Sequence, residues 1–249
     1  MIIIYICIFF LGASIASFLN ATTYRVDNGY KYPDIIKSNS HCEKCKHVLT
    51  WWELFPILGY IYIGGKCSKC KDGINIYYPI SELFLGLLFL SFYLLSIPWY
   101  IWIVVLFLFI LSYHDVKYRA VPKGLVHVFL VLCVSIYSIY LFNIPNIYLP
   151  ILVTIMFLII NLIKKSFGLG DILVLLGLGI LLTYDRYIVM FWLGIVLALL
   201  YSIYLIIKKK VDYKKAKIPM IPFFTISFSI SILFGGEIYK YLLKLMGIW

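Results

Sequence analysis

YIVMFWLGIVLALLYSIYLII, residues 187–207, runs for 21 residues without a charge or a proline. As an α-helix it would extend about 30 Å, the thickness of a bilayer's hydrocarbon core. It lacks the alternation that a roughly 10-residue strand of a membrane barrel would show. A helix also pairs its own backbone N–H and C=O groups, which lipid cannot do. The rest of the chain is of the same kind. Its 249 residues are 63% hydrophobic and only 13% charged, and the mean hydropathy is +0.99, whereas a soluble domain carries about 25% charged residues. Apolar runs at about 2–19, 79–96, 99–114, 125–142, 149–163, 171–184, 187–207 and 219–238 predict an all-α protein with eight transmembrane helices, and Pro98, Pro145, Pro150 and Pro219 mark turns or helix starts.

The net charge of +11 raises nucleic acid as a partner, but the positions of the charges argue against it. With the N-terminus outside, segments 20–78, 115–124, 164–170 and 208–218 fall on the cytoplasmic side and hold 19 of the 22 basic residues. That is the positive-inside bias of a multi-pass membrane protein. Residues 2–19 lack a basic stretch before the apolar run, so they read as a retained span, not a cleaved signal. The expected organisation is a first helix over 1–19, a cytoplasmic module over 20–78 and a membrane core over 79–249.

The module carries Cys42, Cys45, Cys67 and Cys70, two C-x2-C pairs separated by 21 residues. Each pair puts two sulfurs on one tight turn, and two such turns complete a tetrahedral thiolate site. Disulfides are disfavoured in the reducing cytoplasm. Four thiolates leave zinc no open position, so the expected role is structural: a staple for a module of this size. Iron fits the same donors. His41 and His47 read as solvated loop residues, and Cys7 and Cys133 as small apolar side chains within spans.

Of the eleven acidic residues, Glu82, Asp115, Asp171 and Glu237 lie in or at the edge of apolar runs. Ionisable groups are costly there and mark function. Asp115 closes the third run, in SYHDVKYRAVP, and Asp171 opens the sixth, in FGLGDILVL. Span counting brings both to the cytoplasmic edge of the membrane. Singly, Asp115 reads as a helix-end residue and Asp171 as an N-cap. Together they form a pair that would share one proton and activate a water, one as base and the other as acid. Gly168 and Gly170 would let a substrate backbone approach. Glu82 reads as a partner for a helix end or a loop lysine, and Glu237 as interfacial.

In this order, GASIASFLNATTYR (12–25), the cysteine segment from His41 through Trp51–Pro56 to the YPxxE of Tyr78–Glu82, the Asp115 segment reaching Pro122, GLGD (168–171) and KIPMIPFF (217–224) resemble the bacterial type IV prepilin peptidases. The resemblance spans nearly the whole chain. It implies an eight-helix GxGD-type membrane aspartyl peptidase with Asp115 and Asp171 as its catalytic pair, cutting the basic leader from prepilin or pseudopilin precursors at the cytoplasmic face. It also implies methylation of the new N-terminus with S-adenosylmethionine, as in many members. The chain departs from the family pattern at Leu173, where a lysine is usual, and at Lys123, Ala21 and Thr22. The competing reading is a transporter or channel with a zinc-stabilised gate. It would use the intramembrane carboxylates for ions, but the two halves show no repeat.

Overall fold

The computed structural model describes residues 1–141, 147–163, 167–208 and 218–247. Among these, every element is helical except two single β-bridges, His41 with Val48 and Lys66 with Gly73. The chain divides into two compact units, Met1–Pro98 and Trp99–Trp249.

The first unit contains α1 (Ile2–Asp27), the short α2 (Asp34–Lys37) and α3 (Leu58–Tyr62), and α4 (Tyr77–Leu94). Helices α1 and α4 are its principal pair. The face that α1 turns inward carries Gly12, Ala13, Ala16 and Asn20. Small residues at helical spacing let two backbones close up in lipid, where helices gain nothing from hiding apolar surface. A Cβ on Gly12 would sit 2.7 Å from the Leu85 carbonyl oxygen, and one on Gly86 would meet the Phe9 ring at 2.9 Å. Gly12→Ala must therefore push the helices apart, costing about 1–3 kcal/mol. Gly124→Ala meets nothing within 4 Å and should be neutral. Thermal unfolding of the two variants in detergent checks the contrast.

Helix α1 also runs past the expected end of the first span at residue 19. Asn20, Thr23 and Arg25 continue it as buried residues. Each side chain has at least one partner: Asn20 Nδ2 donates to Ser81 Oγ at 2.9 Å, Thr23 to the Leu19 carbonyl, and Arg25 to the Ile35 carbonyl and Ser40 Oγ. Polarity that hydropathy reads as the end of a helix is here buried inside the fold, with its donors engaged.

The second unit contains α5 (Trp99–Tyr118), α6 (Lys123–Ile136) prolonged by a π-helical turn (Tyr137–Leu141), α7 (Tyr148–Ile163), α8 (Leu169–Ile180), α9 (Tyr184–Ile207) and α10 (Ile221–Leu245). Helix α10 packs on α9 and α5, while α8 packs on α6 and α7. Close approach again rests on glycine. A Cβ on Gly194 of α9 would strike the Phe224 ring of α10 at 2.6 Å, and one on Gly179 of α8 would strike Pro150 and Tyr187 at 2.7 Å. Buried Thr225, Ser227 and Ser229 return their hydroxyls to α10's own carbonyls.

Among the described residues, six helices are long and apolar enough to cross a membrane, so the chain is a multi-spanning membrane protein. Against the expected eight spans, the remaining two apolar runs form shorter helices, Tyr148–Ile163 and Leu169–Ile180, of 16 and 12 residues, below the length of the other six. Helix α8 is about 18 Å long and does not reach across the hydrocarbon alone. The apolar run continues through Leu181 and Leu182, but the helix ends at Ile180 and a new one starts at Tyr184, with Thr183 before it. The basic stretches at 164–165 and 209–217 lie outside the described residues.

Candidate active site and metal centre

Asp115 lies in the last turn of α5 and is 5% exposed. Its Oδ2 accepts the backbone N–H of Ile221 at 3.0 Å. Ile221 is the first residue of α10, which carries proline in its opening turn. The first amides of a helix have no partner within it, and its N-terminus is electropositive. The carboxylate therefore occupies a ready-made anion site. Ser112, one turn earlier on α5, meets Thr225 of α10 at 2.7 Å, a second polar stitch between the two helices. Arg119, just beyond α5, is within electrostatic reach of Asp115.

Asp171 is the third residue of α8 and is half-buried. Its carboxylate turns back to accept the N–H of Gly168, the residue that caps the helix, in the manner of a capping box. This geometry explains one glycine of the GLGD motif. A Cβ on Gly168 would lie 2.9 Å from Asp171 Oδ2, whereas one on Gly170 would meet only Val126 at 3.6 Å. Gly168→Ala should displace the acid and lower any activity that depends on it by an order of magnitude or more. Gly170→Ala should cost less than a factor of about three. Initial rates of the two variants side by side check this.

Both acids belong to the second unit, and Asp171 lies within electrostatic reach of Asp115. Beside Asp171 lies a cavity of about 290 Å³, walled by Phe157, Phe167, Leu175, Ala198, Met220 and Phe224. Among the described residues, Asp171 is the one ionisable residue on its wall. An apolar cleft with a single convergent acid suits an apolar chain presenting one reactive bond. His114, next to Asp115 in sequence, instead packs its ring against Tyr113 and Tyr118. Sequence reasoning missed the Ile221 amide. Pro222, a residue favoured at a helix's first position, was the available signal.

In the first unit Cys42, Cys45, Cys67 and Cys70 place their sulfurs within 4.8 Å of one another. The two turns are built alike. Cys42 N–H reaches the His47 carbonyl and Lys46 N–H the Cys42 carbonyl; Cys67 N–H reaches the Asp72 carbonyl and Lys71 N–H the Cys67 carbonyl. The residue after each second cysteine, Lys46 and Lys71, has φ of 56° and 60°. A lysine from one turn, Lys44, pairs with Asp72 of the other at 2.9 Å. Cys42–Cys70 and Cys45–Cys67 sulfurs stand 3.8 Å apart. That is far beyond a disulfide and equals the edge, about 3.8 Å, of a tetrahedron with Zn–S bonds of about 2.3 Å. Without a cation the four thiols cannot ionise alike. Backbone N–H groups of Cys70 and Lys69 lower the Cys67 thiol to about 7. The Cys70 thiol has the Asp72 N–H in its favour, yet burial and the neighbouring thiols push it up to about 12. The donor set fits a thiophilic dication.

Helical spans, a polar cysteine module and acids at helix ends are the features of a multi-spanning membrane protein resembling the leader peptidases, and the comparisons give the family. Residues 10–96 match the family described as Bacterial Peptidase A24 N-terminal domain, and residues 102–203 match the Type IV leader peptidase family. The chain belongs to the type IV prepilin leader peptidases. It is similar to the prepilin leader peptidase/N-methyltransferase of Myxococcus xanthus (37% identity over 84 residues, 34% of this chain and 24% of that one). It is also similar to that of Neisseria gonorrhoeae (32% over 100 residues, 32% of this chain and 35% of that one). The protein of the same name from Pseudomonas putida is 25% identical over 276 residues, covering 95% of this chain and 93% of its own. The chain thus spans between a quarter and about a third of the length of the first two relatives and nearly all of the third. No solved structure matches the chain significantly.

Proposed function

We propose that this chain is an aspartyl endopeptidase of the cytoplasmic membrane that removes the leader from type IV prepilin or pseudopilin precursors. The observation that carries this reading is the pairing of Asp115, at the end of α5, with Asp171, at the start of α8, beside an apolar cavity. The pair holds one proton between two carboxyl groups. The ionised member takes a proton from water as its oxygen attacks the scissile carbonyl carbon, and the protonated member gives its proton to the carbonyl oxygen. Collapse of the tetrahedral intermediate breaks the C–N bond, and the departing nitrogen takes up the proton that came from water. The Ile221 N–H orients Asp115 and the Gly168 N–H orients Asp171. The substrate's apolar helix occupies the cavity lined by Phe157 and Phe224 and leaves its leader junction at the acids.

Both acids and the cysteine module are taken to face the cytoplasm, with the N-terminus outside, as the basic segments require. Cys42, Cys45, Cys67 and Cys70 would hold a structural zinc ion, which supplies cross-linking and no chemistry at the acids. The test is mass spectrometry of a purified prepilin precursor incubated with the enzyme. Loss of the leader supports the reading, and an unchanged precursor overturns it. With S-adenosylmethionine added, a further gain of one methyl group would reveal the second activity in the relatives' name.

A further inference from the structure

The first unit has a cavity of its own, of about 290 Å³, where the C-terminal end of α1 and the N-terminal end of α4 meet the cysteine module. Three buried side-chain atoms with no hydrogen-bond partner line it: Asn20 Oδ1, Glu53 Oε1 and His41 Nε2. Only one other such atom occurs among the described residues. Asn20 is 2% exposed, and the Glu53 side chain is 5% exposed. Leaving a buried acceptor unpaired costs about 1–3 kcal/mol, so two of them on one wall call for a donor.

Their orientation is determined by their neighbours. Ser81 gives its hydroxyl hydrogen to the Tyr78 carbonyl at 2.8 Å. Its oxygen must then accept from Asn20 Nδ2, which turns Asn20 Oδ1 to the cavity as an acceptor. Glu53 uses Oε2 for the Thr50 N–H and hydroxyl, at 2.7 and 2.9 Å, with His47 Nε2 3.9 Å away and the Ser68 hydroxyl also within reach of the carboxylate; Oε1 itself meets no donor in hydrogen-bond geometry. Glu82, on the same wall, accepts the Ile57 N–H at 2.8 Å.

Charge points the same way. Glu43, Glu53, Asp72 and Glu82 line the cavity against Arg25 and Lys44. Arg25 is engaged with Ile35 and Ser40, and Lys44 with Asp72. A bare metal ion does not fit: among the described residues only the four cysteines converge tightly enough to hold one. The acceptors do not converge on one point, and Tyr24, Phe55 and Tyr78 share the cavity wall with them. Aromatic faces attract cations and cover apolar groups. The volume is at the small end of the ~300–1,000 Å³ range of ligand sites.

From this geometry we infer that the cavity of the first unit binds a primary ammonium group carried on an apolar body, with Asn20 Oδ1, Glu53 and Glu82 as its acceptors. A peptide's amino terminus and a lysine side chain share this chemistry. The inference concerns the first unit alone and is independent of the peptidase reading.

The test is calorimetric titration of the full-length, metal-loaded protein in nanodiscs with three pentapeptide amides. One is Leu-Ala-Ala-Ala-Ala with a free amino terminus, one is its acetylated twin, and one is an acetylated form with lysine in second place. In the wild-type protein the free-amine peptide should bind at least tenfold more tightly than the neutral twin. Binding of the acetylated lysine peptide as tight as that of the free amine assigns the site to side-chain ammonium; weak binding assigns it to an amino terminus. Glu53→Gln and Glu82→Gln, each checked for full metal content, should bring the charge advantage below threefold. Equal binding of all three peptides to the wild-type protein would overturn the inference without recourse to any variant. A charge advantage that survives both substitutions would overturn it as well.

Discussion

Asp115→Asn and Asp171→Asn should each lower precursor cleavage by roughly a thousandfold or more, with the fold intact. Asparagine has the shape of aspartate but neither takes nor gives a proton at working pH, and proton transfer by a positioned group is worth about 10²–10⁴ in rate. Both substitutions leave an amide oxygen that can still accept the Ile221 N–H or the Gly168 N–H that orients the native carboxylate. The helix starts at Ile221 and Leu169 therefore keep their partner, and thermal unfolding should move little. A structural role would give the opposite pattern, a lowered melting temperature with retained rate. Cleavage is read as the mass of a co-expressed prepilin. A normal rate from either variant would remove the pair from the mechanism.

The second large effect is expected at the cysteines. Between α1 and α4 the chain has only two short helices and two single β-bridges, and Trp51, Trp52 and Ile61 stay exposed. So thin a core cannot offset the ordering entropy of this segment. Structural zinc contributes about 10–16 kcal/mol in comparable small sites. Cys67→Ser should lose the metal and expose residues 38–76 to protease, while the helical core of the second unit stays resistant. Cys133→Ala, in a buried position against Gly177 of the second unit, should keep full metal content. Metal analysis and limited proteolysis on the same samples decide it; a Cys67→Ser protein with full metal would show that the four sulfurs are not the site.

Much of this was legible before any coordinates. The cysteine spacing announces paired turns because two residues between cysteines leave little freedom. The positions of Asp115 and Asp171 stand out because an acid beside an apolar run has few innocuous explanations. What the chain's letters concealed depended on where helices stop. Leu181 and Leu182 are as apolar as the residues before them, yet α8 ends at Ile180, because a run of hydropathy carries no mark of a turn. Asn20 and Arg25 look like the exit from a membrane helix and are instead buried within α1, since their partners Ser81 and Ile35 come from elsewhere in the chain. The Ile221 amide was invisible for a different reason: a backbone N–H has no letter, and its role arises only from the start of α10 lying against the end of α5. Gly168 and Gly170 look equivalent in the motif, and only the position of the Asp171 oxygen tells them apart.

Because Asp115 is tethered to the amide that opens α10, the acid and the helix move as one joint. The seam where Ser112 meets Thr225 lies one turn along the same two helices, so a substitution that spreads it would be felt at the acid although neither hydroxyl touches it.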